Sequence, residues 1–173
     1  LLFNARSETA AEKATFRAAL RHHRTLVPAS GFYEWKRMGK GSSQPFFIRP
    51  RRGGVFAFAG LMETYLDPNG SEMDTGAILT TNANETLAPI HHRMPVVIHE
   101  QDFGRWLDCM NGEPRDVADL MRPAEPDCFE AIPVSDLVNK VANDGPGLLD
   151  PAPDAPEPAA ERKKANADQL SLF

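Results

Sequence analysis

Three polar islands interrupt stretches that otherwise read as strands: Asn4-Ala5-Arg6 with Glu8, Gly31-Phe32-Tyr33-Glu34-Trp35-Lys36, and Ile90-His91-His92-Arg93-Met94-Pro95. Glu34 is the most informative residue among them. It lies between Tyr33 and Trp35 and follows Leu26-Val27-Pro28-Ala29-Ser30, in a segment that enters a core. An ionised carboxylate buried without a partner is costly, so such a group is paired, hydrogen-bonded or held partly protonated. A carboxyl in that setting can be tuned toward neutral pH and used to move protons. The alternative is an edge-strand glutamate pointing outward while Tyr33 and Trp35 point into the core. His91 and His92 do not make a metal pair, because adjacent side chains on an extended segment point apart; either one is by default a satisfied structural histidine. Cys109 and Cys128 form no C-x-x-C pattern and give no zinc signature. Their usage suits a reducing cytoplasm, and both read as small buried hydrophobes.

The elements that must hold these islands are mostly strands. Ser7 to Thr9 offer cap residues for a helix over 10–20, with Phe16 and Leu20 spaced i, i+4, and Arg21-His22-His23-Arg24 suits its negative end. Strands are predicted over 26–37, 45–49, 55–61, 75–81 and 128–134, with turns at Gly39-Lys40-Gly41-Ser42-Ser43 and Asp67-Pro68-Asn69-Gly70. Residues 82–94 read as irregular and lead into Pro95-Val96-Val97-Ile98, and short helices are predicted over 100–108 and 115–121. Strands joined by turns rather than by regular helical crossovers predict an α+β fold. Its largely antiparallel, barrel-like mixed sheet is flanked by a few short helices.

A chain of 173 residues, 42% hydrophobic and 25% charged, is that of an ordinary globular protein. No apolar run approaches the ~20 residues of a membrane-spanning helix, so no membrane partner is expected. A net charge of −5 argues against a surface coated in basic residues for duplex binding, but leaves room for a local basic groove. From Asp144 the composition changes, and residues 151–160 hold four prolines and four alanines without apolar periodicity. The organisation is therefore read as a domain over 1–149 and a disordered tail over 150–173 that ends abruptly in Gln169-Leu170-Ser171-Leu172-Phe173.

Taken together, the three islands resemble the SRAP family, the abasic-site processing proteins also described as SOS-response-associated peptidases. The shared patterns are Asn-Ala-Arg-x-Glu, glycine-aromatic-aromatic-Glu-Trp and His-x-Arg-x-Pro, found here in family order. Val134-Ser135, Val138-Asn139 and Asn143-Asp144-Gly145 extend the likeness, which covers roughly residues 1–149. The resemblance implies recognition of abasic sites in single-stranded DNA and a thiazolidine crosslink formed by an N-terminal cysteine, with associated autopeptidase activity and no cofactor or metal. It further implies that Asn4 positions the reacting groups, that Glu34 and His91 transfer protons, and that Arg6 and Arg93 contact phosphates. His92 fills the variable position of its motif.

The family's cysteine belongs in a Met-Cys-Gly-Arg-like start, whereas this chain begins Leu1-Leu2-Phe3-Asn4. Either the sequence is a fragment of a longer gene product or the protein is a truncated form. Residues 1–173 alone are expected neither to form the crosslink nor to process their own N-terminus, and to expose apolar surface where preceding strands would pair. The terminal peptide resembles the one by which bacterial replication and repair proteins dock on the sliding clamp, with Gln169 at the pocket rim and Leu170, Leu172 and Phe173 as its apolar part. A cytoplasmic, nucleoid-associated setting follows from these resemblances. The competing readings are a non-catalytic single-stranded nucleic-acid-binding module tethered to the clamp, and a cofactor-independent peptidase.

Overall fold

The protein is described by a computed structural model over residues 2–39 and 41–152. Its described residues divide into two compact units, one drawn from residues 2–32 and 49–130, the other from 33–39, 41–48 and 131–152. In chain order the strands are β1 (Asn4–Arg6), β2 (Arg24–Ala29), β3 (Phe32–Gly39), β4 (Ser42–Pro50), β5 (Phe56–Leu66), β6 (Glu72–Asn82), β7 (Arg93–Pro95), β8 (Val97–Ile98) and β9 (Phe129–Pro133). The α-helices are α1 (Ser7–Ala10), α2 (Ala14–His22) and α3 (Phe103–Leu107). The expected α+β class and largely antiparallel pairing hold. Instead of closing as one barrel, the strands fall into two sheets.

The first unit is built on the sheet ordered β1-β6-β5-β2, in which only β1 runs parallel to its neighbour. β5 and β6 pair from Gly60 opposite Ile78 to Leu66 opposite Glu72, and the turn at Asp67 to Gly70 joins them. Asp67 Oδ1 accepts from the Asn69 and Ser71 N–H groups, and Gly70 takes the left-handed φ of 84° that closes the turn. Before Gly60 and after Ile78 the two strands separate, and residues 93–98 fill the gap. Arg93 to Pro95 pair with β6 on one side, and Val97 and Ile98 pair with β5 on the other. Val96 spans both: its N–H donates to the Leu79 carbonyl at 2.8 Å, and its own carbonyl accepts from the Ala59 N–H at 2.9 Å. The expectation of irregular backbone up to Met94 is thus corrected at Arg93.

The single helix expected over 10–20 is broken. Ala11 to Lys13 form a turn between α1 and α2, and neither helix carries a side-chain N-cap bond, so Ser7 and Thr9 are not caps. The buried residues explain the break. Ser7 and Ala10 point into the core from α1, and Phe16, Ala19 and Leu20 do so from α2. In one continuous helix, at ~100° per residue, these two sets would face in nearly opposite directions. The turn lets both reach a core shared with Ala5, Ala59, Leu61, Leu79, Val96, Ile98, Trp106 and Val117.

Arg24, 5% exposed, ties this core to the loops after α3. Its Nε donates to the Trp106 carbonyl at 2.6 Å, one terminal nitrogen to Leu20 at 2.9 Å, and the other to Asp108 at 2.7 Å. It therefore satisfies carbonyls at the ends of α2 and α3 that have no intrahelical partner. The expected helix over 100–108 is a 3-10 turn, Glu100–Asp102, running into α3. That over 115–121 is a 3-10 helix, Pro114–Leu120, closed by a capping box of Glu113 and Asp116.

The second unit holds most of the sheet ordered β3-β4-β9. The strand expected over 26–37 is interrupted at Ser30 and Gly31, which separate β2 from β3. Tyr33 packs against Phe47, with ring centroids 5.3 Å apart. Asp150 to Ala152, which composition assigns to the tail, belongs to this unit. Pro151 bridges to Val134, and the Ala152 N–H donates to the Pro133 carbonyl at 2.8 Å. The rest of the expected tail, including Gln169, Leu170, Leu172 and Phe173, lies outside the described residues.

Candidate functional site

The first unit gathers two of the three islands around the end of β6. β1 lays Asn4, Ala5 and Arg6 beside Ile78, Leu79 and Thr80, with Ala5 buried and both polar side chains exposed. On the opposite side of β6, Arg93 pairs with Asn82. Glu8, in α1, curls round the strand end and meets Arg93 in a fork, with contacts of 2.6 and 2.9 Å. The same guanidinium donates to Asn82 Oδ1 at 3.1 Å and to the carbonyl and hydroxyl oxygens of Thr80 at 2.5 and 3.3 Å. Its Nε is buried and has no hydrogen-bond partner among the described residues. The hydrogen bond from Arg93 holds the Glu8 carboxyl below the usual carboxylate range, against a smaller opposing effect of burial.

His91 is half-buried, with Nδ1 3.3 Å from the Arg93 main-chain nitrogen and 3.1 Å from the Arg93 carbonyl oxygen. Either tautomer therefore keeps Nδ1 engaged by the backbone two residues on. The segment is bent at His92, not extended, and the two imidazoles lie 4.5 Å apart at a tilt of 48°. The expectation that they point apart is corrected for that reason. Upstream, Asn84 anchors the loop after β6. Its Nδ2 donates to the Ala124 carbonyl at 3.0 Å, and its Oδ1 accepts from the Leu87 N–H at 3.0 Å. Asn84, Thr80 and Asn82 were not singled out from sequence; the polar run at the end of a strand, Thr80-Thr81-Asn82-Ala83-Asn84, was the available signal.

Glu34 lies on β3 in the second unit and is half-buried, neither fully outward nor sealed in the core. Strand alternation puts it on the opposite face from Tyr33 and Trp35. Burial raises the Tyr33 hydroxyl pKa. The alternative in which Trp35 points into the core does not hold: Trp35 is 37% exposed, and its indole N–H donates to Asn139 Oδ1 at 2.8 Å.

The cysteines are half-exposed, not buried. Cys128 donates to Glu125 Oε2 at 3.5 Å, the same oxygen that lies 3.4 Å from His99 Nε2, beside a hollow of about 380 Å³. Burial, with Glu125 next in effect, pushes the Cys128 thiol up, the wrong direction for a nucleophile. Among the described residues no helix is long and apolar enough to cross a membrane.

The abasic site processing protein YoqW of Bacillus subtilis is 40% identical over 149 residues, a match that covers 86% of this chain and 66% of the relative. The abasic site processing protein HMCES of Gallus gallus is 35% identical over 169 residues, covering 86% and 49% respectively. The chain thus spans less than two-thirds of the length of these curated relatives. A crystal structure of a Bacteroides thetaiotaomicron protein superposes with a TM-score of 0.78 at 28% identity, covering 86% of this chain and 65% of the other. A family model described as SOS response associated peptidase (SRAP) matches residues 1–141, and the chain belongs to that family.

Proposed function

We propose that the protein carrying this chain processes abasic sites in single-stranded DNA by covalent capture of the sugar aldehyde. The observation that carries the reading is the clasp at the end of β6, where islands 85 residues apart meet through Glu8 and Arg93. Two relatives described as abasic site processing proteins support it.

In the proposed reaction an α-amine condenses with the ring-opened aldehyde and releases water. The thiol of the same residue then adds to the imine carbon, its proton passing to the nitrogen, and closes a thiazolidine. Both groups must sit on one N-terminal cysteine, which the internal Cys109 and Cys128 cannot replace. We assign that cysteine to a residue outside 1–173. Asn4, exposed on β1, orients the reacting groups. Glu34 and His91 carry protons during aldehyde unmasking and ring closure. With Nδ1 held by the backbone, the proton route at His91 runs through Nε2. Arg6 contacts phosphate. Arg93 adds positive charge, and its fork stays on Glu8.

The intact gene product, incubated with single-stranded DNA containing one abasic site, should give an adduct that survives a denaturing gel. Absence of that adduct overturns the reading in favour of a non-catalytic nucleic-acid-binding module. Glu34→Gln should slow adduct formation, or retain the initiator methionine if autopeptidase activity uses the same carboxyl. The terminal Gln169 to Phe173 peptide supports docking on the sliding clamp. Deleting 170–173 should abolish clamp binding, and unchanged affinity removes that partner.

A further inference from the structure

We propose that Glu8 is a positioning residue for His91, acting through Arg93; the inference rests on the proton-transfer role just assigned to His91. Glu8 does not need to touch the imidazole to set its orientation. Its carboxylate grips the Arg93 guanidinium through two bonds, and the main chain of the same arginine holds His91 Nδ1, through its N–H when Nδ1 is unprotonated and through its carbonyl when Nδ1 carries the proton. Any rotation of the Arg93 backbone therefore moves the groups that face Nδ1.

The Arg93 side chain is only 14% exposed, against 42% for that of Glu8. Its other hydrogen-bond partners, Thr80 and Asn82, are neutral. Among the described residues Glu8 is thus the one anion bonded to a cation that is largely out of water, and removing it takes away that compensation. The buried Nε, with no bond of its own, adds to the arginine's dependence on the fork. Two features separate this role from general scaffolding. The strand pairing of β1, β6 and β7 is made by main-chain bonds that Glu8 does not join. The bend at His92 begins immediately before Arg93, so the fork acts where the chain leaves the sheet to present the imidazole.

The test uses the intact gene product as wild type, Glu8→Gln, Glu8→Asp and Arg93→Lys. Lysine keeps the charge but cannot form the fork. The ring nitrogens of His91 are followed by NMR across a pH titration, alongside the adduct rate at saturating abasic DNA and the affinity for single-stranded DNA. Glu8→Gln and Arg93→Lys should both move the His91 ring signals. Glu8→Gln should cut the saturating rate about 10- to 100-fold, the scale expected for a small misplacement of a reacting group. DNA affinity should change less than about twofold, and Glu8→Asp should recover part of the rate. Folded variants with wild-type His91 signals overturn the proposal, as does a rate loss fully matched by lost DNA affinity. If wild type forms no adduct, the functional reading fails while the NMR comparison still decides whether Glu8 positions His91.

Discussion

Arg24 gives the sharpest single-residue test of how the first unit is held. Its planar fork serves the Leu20, Trp106 and Asp108 carbonyls at once, from inside the core. One ammonium cannot reach all three, so Arg24→Lys should cost about 1–3 kcal/mol, read from denaturant melts with unchanged m. An unaltered midpoint would show that water satisfies those carbonyls instead. Glu8 yields a prediction in pH. Its folded carboxyl, held low by the Arg93 hydrogen bond against a smaller opposing effect of burial, binds protons less readily than the unfolded one. Its contribution to stability is therefore full well above the ordinary glutamate pKa of about 4.3, and is lost as pH falls through the lower folded value. Wild type should outlast Glu8→Gln at pH 7 and lose that advantage toward pH 3; a constant gap between the two melts would contradict this. At this scale the motif residues themselves could be read from sequence, and the bonds between them could not. Glu8 was visible as the end of Asn-Ala-Arg-x-Glu, but its partner lies 85 residues away. No local pattern reports a contact that depends on how two strands flank a third.

Among elements, the longer strands β4, β5, β6 and β9 are legible because alternation and turn residues bound them, whereas the short β1, β7 and β8 and the break between β2 and β3 are not. Asp67-Pro68-Asn69-Gly70 marks the β5–β6 turn without ambiguity. The helix over 10–20 was misread for the opposite reason. Ala, Glu and Lys at 10–13 favour helix locally, and only the position of the core shows that Ala10 and Phe16 cannot share one helix face. The crowding of Gly60 on β5 by side chains of its neighbour β2 is also invisible from sequence. A Cβ on Gly60 would lie 2.7 Å from Thr25 Cγ2 and 3.0 Å from Val27 Cγ2. Gly60→Ala should thus destabilise by about 1–3 kcal/mol, and Thr25→Ser in the same chain should restore part of it by removing the methyl group. A neutral Gly60→Ala in thermal melts would mean that β2 yields freely.

At the scale of the whole molecule, stability should be uneven. Ala59, Leu61, Leu79 and Val96 are almost completely buried at the centre of the first unit, whereas β1 is a three-residue edge strand. Native-state hydrogen exchange should therefore find the slowest amides at Ala59 and Val96 and markedly faster exchange at Asn4 to Arg6. Equal protection across the sheet would refute that ranking. The filling of the gap between β5 and β6 by residues 93–98 has a further consequence, during synthesis. The β5–β6 turn closes between near neighbours, but Asn4 must wait for Ile78, and Glu8 for Arg93, before either has its partner. On a ribosome, the earliest island of the site emerges first and is completed last. A nascent chain halted before Arg93 would carry Asn4, Arg6 and Glu8 with no clasp to hold them.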